Sequence, residues 1–137
     1  MPKHELEKLC QKELFRMGHK AILRDEPNHI TSLDIIIDDK IMDIRSICEN
    51  GPRTIRNGLN SKNSQIYAFY AETDIKPDSV CLYFHDPTMY GKEKMKKQIE
   101  MFIDFQNYIG NTIYIEKVYC VVHGADKVDI YDINMDK

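Results

Sequence analysis

The stretch at 32–46, SLDIIIDDKIMDIRS, most constrains what this chain can fold into. Two apolar runs, 33–37 and 41–47, flank the polar turn Asp38-Asp39-Lys40. Runs of this length bounded by turn residues predict a buried β-hairpin. Asp-Asp is a poorer hairpin turn than Asp-Gly, but Asp tolerates the turn conformation and bonds its own backbone. Polar residues inside the strands carry the interest. Asp34 interrupts the first strand, and Asp43 and Arg45 interrupt the second. Asp43 and Arg45 are two apart and so share a face. A turn centred between residues 38 and 39 sets residue 34 across from residue 43. Two carboxylates and a guanidinium then converge on one patch of sheet. If that patch is buried, the carboxylates need a cation, and Mg²⁺ commonly takes one or two carboxylates together with phosphate oxygens. The same spacing fits the solvated face of an ordinary hairpin, with Arg45 as a surface ion-pair partner.

A chain of 137 residues is one domain, 1–137, long enough for a core without staples. Its 42% hydrophobic and 30% charged residues are those of a globular protein. The net charge of −3 argues against a wholly basic nucleic-acid binder and leaves room for a local basic face. The cysteines at 10, 48, 81 and 120 form no CxxC or Cys/His pair, and Cys10, Cys81 and Cys120 sit in apolar patterns as reduced core residues. There is no signal peptide and no long apolar run, so nothing predicts a membrane location.

Along the chain, 3–17 reads as an amphipathic helix with Leu6, Leu9, Cys10, Leu14 and Met17 inward and Gly18 as its stop. Glu7 falls at the edge of that apolar face, where a solvated residue is expected. A short strand at 19–24 and a polar loop at 25–29 lead to the hairpin. After a loop at 48–53, a helix is expected over 54–71, its first turn weakened by Gly58. The middle of this helix is polar. Arg53, Arg56 and Lys62, with amides such as Gln65, form either a patch suited to phosphate and sugar or a plain solvated face. A strand at 79–85, a helix at 92–109 opening on Lys92, Lys94, Lys96 and Lys97, and strands at 113–122 and 127–133 complete the order αβββαβαββ. The lysine run reads as a solvated face. The class is α/β with a mixed central sheet flanked by helices.

This order, with Asp34 on one strand and Asp43-Ile44-Arg45 after the turn, resembles the PD-(D/E)XK nuclease superfamily (the restriction-endonuclease-like fold). Within it, 32–133 looks like the C-terminal tRNA nuclease domain of contact-dependent growth inhibition toxins. The matching residues are Asp34, Lys40, Asp43-Ile44-Arg45, Asn50-Gly51, Ile55, Asn57, Leu59 and Gln65. The resemblance implies a metal-dependent nuclease acting on RNA, tRNA in particular. It implies Mg²⁺ or Mn²⁺ held by Asp34, Asp43 and the Ile44 carbonyl, with Glu7 from the first helix as a further acid. A cognate immunity protein is an implied partner. The implied location is the cytoplasm, or a target-cell cytoplasm reached as part of a larger toxin. The chain begins with Met and lacks a delivery domain, which is unusual for such a toxin and leaves the toxin and immunity readings both open.

The sequence departs from the motif at one place. The lysine thought to orient the attacking water is Arg45 here. Arginine stabilises phosphate charge but is no base at neutral pH. Either Lys40 or Lys62 substitutes from nearby, or the metal alone activates water, or activity is lost. Lys40, Arg53, Arg56, Lys62 and Gln65 are the expected nucleic-acid contacts. Three other readings stay open: a degenerate nuclease fold that only binds, an immunity or assembly protein facing a basic toxin, and a metal-independent ribonuclease using His29, His85 or His123.

Overall fold

Asp38 and Asp39 both take positive φ, 46° and 71°, which makes the hairpin turn the mirror-image type whose twist suits the flanking strands. The Asp38 carboxylate accepts the Lys20 N–H (2.9 Å) and meets His19 (2.7 Å), so the turn is also tied to the segment leading into the first strand. The computed structural model describes residues 2–24 and 33–133. The expected loop at 25–29, with His29, lies outside them.

The described residues form a single α/β domain. Helix α1 (Lys3–Arg16) is followed by β1 (Ala21–Leu23), β2 (Ile35–Ile37) and β3 (Lys40–Ser46). Then come α2 (Thr54–Thr73), β4 (Ser79–Phe84), a 3₁₀ turn (Pro87–Met89), α3 (Lys92–Tyr108), β5 (Lys117–Val122) and β6 (Asp129–Asp132). The expected order stands. The six strands lie in chain order in one sheet. The β1–β2, β2–β3 and β5–β6 pairs are antiparallel, while β3–β4 and β4–β5 are parallel across the helical crossovers. Ile35 pairs with Met42, the register expected from a turn at 38–39.

Gly18 ends α1 at φ 89°, and the His19 N–H returns to the Leu14 carbonyl (2.9 Å), closing a Schellman motif. One face of the sheet, with Ile35, Ile37, Met42, Ile44, Cys81 and Tyr83, packs under Leu6, Cys10 and Leu14 of α1. The other face, with Val80, Leu82, Phe84, Val118 and Cys120, packs under α2 and α3. Cys10, Cys81 and Cys120 are buried free thiols, as expected.

One boundary moves and one expected helix start holds. Strand β5 starts at Lys117 rather than at 113, because Asn63 of α2 takes the preceding segment: its amide donates to the Thr112 carbonyl (3.0 Å) and accepts the Tyr114 N–H (2.7 Å). The first turn of α2 is helical despite Gly58, because Gln98 of α3 accepts the Ile55 and Arg56 N–H groups (2.9 and 3.0 Å), which a helix start leaves without intrahelical partners. Among the described residues, no helix is long and apolar enough to cross a membrane.

Candidate functional site

Asp34 and Asp43 come together at the junction of β2 and β3, and they are 3% and 2% exposed. The solvated-face alternative is therefore not the one adopted. Asp34 Oδ2 accepts the Ile44 N–H (3.0 Å). Asp43 Oδ2 is bonded by the Lys62 ammonium from α2, and Lys62 also donates to Gln65 (3.1 Å). Asp43 Oδ1 is buried and has no hydrogen-bond partner among the described residues. Burial, then the neighbouring Asp34 carboxyl, outweigh Lys62 and push Asp43 up to about 7. Glu7 reaches the same place from α1. It is 8% exposed, and burial followed by the charge of Asp34 raises it, against Lys3 and His4. Lys3 Nζ lies 3.7 Å from Glu7 Oε2 and 3.7 Å from Asp34 Oδ1.

A cavity of about 390 Å³ is walled by Lys3, Glu7, Ile44, Arg45, Cys48 and Lys62, so it meets the partners of the two aspartates (Lys3 and Lys62) but not the aspartates themselves. Arg45 shares the α2-facing side of β3 with Asp43. Its side chain crosses α2 at Gly58, where an added Cβ would stand 3.4 Å from Arg45 Cγ. The glycine in mid-helix, read from sequence as a weakness, leaves room for this crossing.

The remaining expected residues scatter. Lys40 sits at the opposite end of β3 from Arg45 and pairs with Asp78 (3.3 Å). Arg56 stacks 5.3 Å from the Phe105 ring and bonds Asn57, away from the cavity wall. Arg53 is exposed at the start of α2. The amides of α2 are largely structural: Asn60 accepts from Gln106 (2.8 Å), and Asn63 holds the segment before β5. His85 and His123 come together at the ends of β4 and β5, with rings 5.1 Å apart. Tyr83 bonds His85 (2.9 Å), and Glu13 lies 3.5 Å from His123.

The sequence reading did not pair Lys3 with the acids, and it gave Lys62 a phosphate-binding role rather than a place beside Asp43. Lys62 was named there as a substitute for the motif lysine, with no means of choosing it over Lys40.

Oxygen donors are the type that Mg²⁺ or Mn²⁺ takes, and Asp43 Oδ1 is a buried acceptor without a hydrogen-bond partner among the described residues, beside the Asp34 carboxyl. As arranged, however, no three His, Cys, Asp or Glu side chains among the described residues stand close enough to hold a metal ready-made. Lys3 instead bridges Glu7 and Asp34, and Lys62 is bonded to Asp43. As they stand, the residues present do not form a ready site for a divalent ion.

No protein-family model matches this chain, and no curated protein matches it. Among solved structures it is similar to a chain of the "CdiA-CT/CdiI toxin and immunity complex" from Burkholderia pseudomallei. The match has 13% identity and a TM-score of 0.60, covering 92% of this chain and 81% of that one. At that identity the likeness is one of fold: this chain folds like a component of a toxin–immunity complex.

Proposed function

We propose that this chain is a metal-dependent phosphodiester hydrolase acting on nucleic acid, toxin-like, with RNA and tRNA as the first substrates to test. The observation that carries the reading is the buried Asp34–Asp43 pair with Lys62, which also walls a cavity shared with Arg45 and Glu7, bonded to Asp43. Asp34 and Asp43, with the Ile44 carbonyl, are the residues that would hold Mg²⁺ or Mn²⁺. Such an ion, when bound, polarises a phosphoryl oxygen and lowers the pKa of a water. Lys62 takes the part of the motif lysine. Its ammonium stands at the cavity wall beside Asp43 and stabilises charge developing on the scissile phosphate. Gln65 holds Lys62 in place. Arg45 binds a phosphate oxygen pair, a task its planar fork suits. Glu7, raised by burial, is placed at the rim to exchange a proton. Arg53, at the exposed start of α2, contacts the nucleic-acid backbone outside the cleft. The preference for RNA rests on the sequence resemblance, and the shared fold with a toxin–immunity component supports the toxin-like setting, in the cytoplasm of a cell.

The test is cleavage of total tRNA and of plasmid DNA with Mg²⁺, Mn²⁺ or EDTA, for wild type, Asp43→Ala and Lys62→Ala. Metal-dependent cleavage lost in both variants is the expected result. Cleavage that survives EDTA moves the chemistry to the His85–His123 pair.

A second reading has its own support. Each acid already has a lysine contact, Lys3 at Glu7 and Asp34 and Lys62 at Asp43, as in a site that only binds, and the similar complex holds an immunity protein as well as a toxin. A folded protein that cleaves neither substrate under any condition favours that partner role.

A further inference from the structure

A second cavity, of about 290 Å³, lies between α2 and the segment joining α3 to β5, lined by Asn63, Ser64, Tyr67, Asn111, Thr112 and Tyr114. Its lining combines two aromatic rings with amides and hydroxyls, and none of its side chains is charged. Small-molecule sites start at roughly 300 Å³, so a groove of this size suits one small ring system rather than a large ligand.

The two rings are in place before anything binds. Asn63 is 4% exposed, and its amide donates to the Thr112 carbonyl (3.0 Å) and accepts the Tyr114 N–H (2.7 Å), which pins the Tyr114 backbone to α2. Tyr67 follows buried Ile66 on α2 and is itself 56% exposed. The ring centroids of Tyr67 and Tyr114 are 5.8 Å apart with planes tilted by 37°, so the pair does not close on itself as a flat stack. Lys76 Nζ lies 5.6 Å from the Tyr114 ring centre and brings one positive charge beside it. Tyrosine offers a large π surface with few torsions to fix, so ordering it against a ligand costs little.

We propose that this groove takes one base of a single-stranded nucleic acid, stacked against Tyr67 and Tyr114, with Ser64, Asn111 and Thr112 at its polar edge. The inference rests on the nucleic-acid reading above and adds a contact outside the cavity of Arg45 and Lys62. The lining selects a base over a phosphate: uncharged amides and hydroxyls match uncharged base edges, whereas a phosphate calls for cations the lining lacks. Aromatic rings stack on the face of any base, so the contact tolerates sequence. Lys62 and Asn63 are successive residues of α2, about 100° apart around its axis. The cavity and the groove therefore share one helix, about 10–12 Å across with its side chains, and a short run of strand reaches from one to the other. Lys76 is the nearby cation for the backbone of that strand.

The test is binding of a short fluorescein-labelled single-stranded RNA of mixed sequence, and of an abasic strand of equal length and charge, by anisotropy in EDTA. The proteins are wild type, Tyr67→Ala, Tyr67→Phe, Tyr114→Leu and Arg45→Ala, each checked for folding by circular dichroism. Tyr67→Ala is expected to weaken RNA binding by about 5- to 100-fold, the range for one base stacked on an aromatic ring, and to leave the abasic strand unchanged. Tyr67→Phe, which keeps the ring, is expected to bind RNA as wild type does. Equal loss on both strands in Tyr67→Ala overturns base stacking, since the contact is then with the backbone. Wild-type affinity in Tyr67→Ala and Tyr114→Leu, with both strands weakened in Arg45→Ala, overturns the groove and leaves the nucleic-acid reading standing. No RNA binding by wild type overturns that reading and this inference with it.

Discussion

Helix α1 carries two buried glutamates, Glu7 and Glu13, and they have opposite fates. Burial raises both. At Glu13 the rise is overcome: Arg16 bonds it (2.6 Å), the Gly124 N–H donates to it (2.9 Å), and His123 lies 3.5 Å away, so its carboxyl ends below the ordinary range. At Glu7 the neighbours are Lys3 and His4 at 3.7 and 3.6 Å, and Asp34 adds a like charge, so the carboxyl ends above it. Glu13 is saturated and pins α1 to the turn after β5. Glu7 is under-served and stands beside another acid. A buried charge with full partners is architecture, whereas one held short of them is placed for a ligand or a proton.

The largest effects should break this comparison at the cleft. Asp43→Ala is expected to lower metal-dependent cleavage by at least about 100-fold, and Lys62→Ala by about 10- to 100-fold. Glu13→Gln is expected to leave cleavage within a few-fold and to lower the melting temperature by a few degrees instead. Initial rates and thermal melts on the same samples separate the two outcomes.

Acidity sharpens the contrast, because the two clusters should drive stability in opposite directions. Asp43, raised from 3.8 to about 7, makes the folded chain hold a proton that the unfolded chain has released. Its contribution is full below about 4, is lost as the pH climbs towards about 7, and is flat above that. Glu13, lowered from 4.5, contributes above its unfolded value and loses that contribution as the pH falls through the folded one. Urea midpoints across pH 3–8 should lose the decline on the neutral side in Asp43→Asn and the decline on the acid side in Glu13→Gln. If neither variant changes the profile, the two clusters do not differ in the way described.

The smallest effect lies at Gly58. An alanine there adds helix propensity worth about 0.5–1 kcal/mol, and its methyl meets only the flexible Arg45 stem, 3.4 Å from Cγ. Gly58→Ala is expected to raise the melting temperature slightly. If Arg45 needs that gap to reach the cleft, the same variant will also weaken nucleic-acid binding, read by fluorescence anisotropy in EDTA.

The hairpin was legible in the sequence because its signals are local. The period of two, the acidic turn and the apolar runs fix register within fifteen residues, and with it the meeting of Asp34 and Asp43. The helices were legible as helices but not as partners. A polar residue on a helix looks the same in sequence whether water, a sheet or another helix faces it. So Glu7 read as solvated, the amides of α2 read either as a patch for phosphate and sugar or as a solvated face, and Gln98 drew no notice although it caps α2 from α3. Lys40 and Lys62 were equal candidates until packing sent one to Asp78 and the other to Asp43.

The sequence by itself determined the class, the element order, the strand pairing about 38–39 and the two aspartates that face each other there. Only the tertiary structure decided that these aspartates are buried, that α1 brings Glu7 and Lys3 over them and that α2 brings Lys62. The physical reason is range: backbone pattern and turn chemistry act between neighbours, whereas burial and charge pairing depend on which faces meet after segments far apart in the chain have packed.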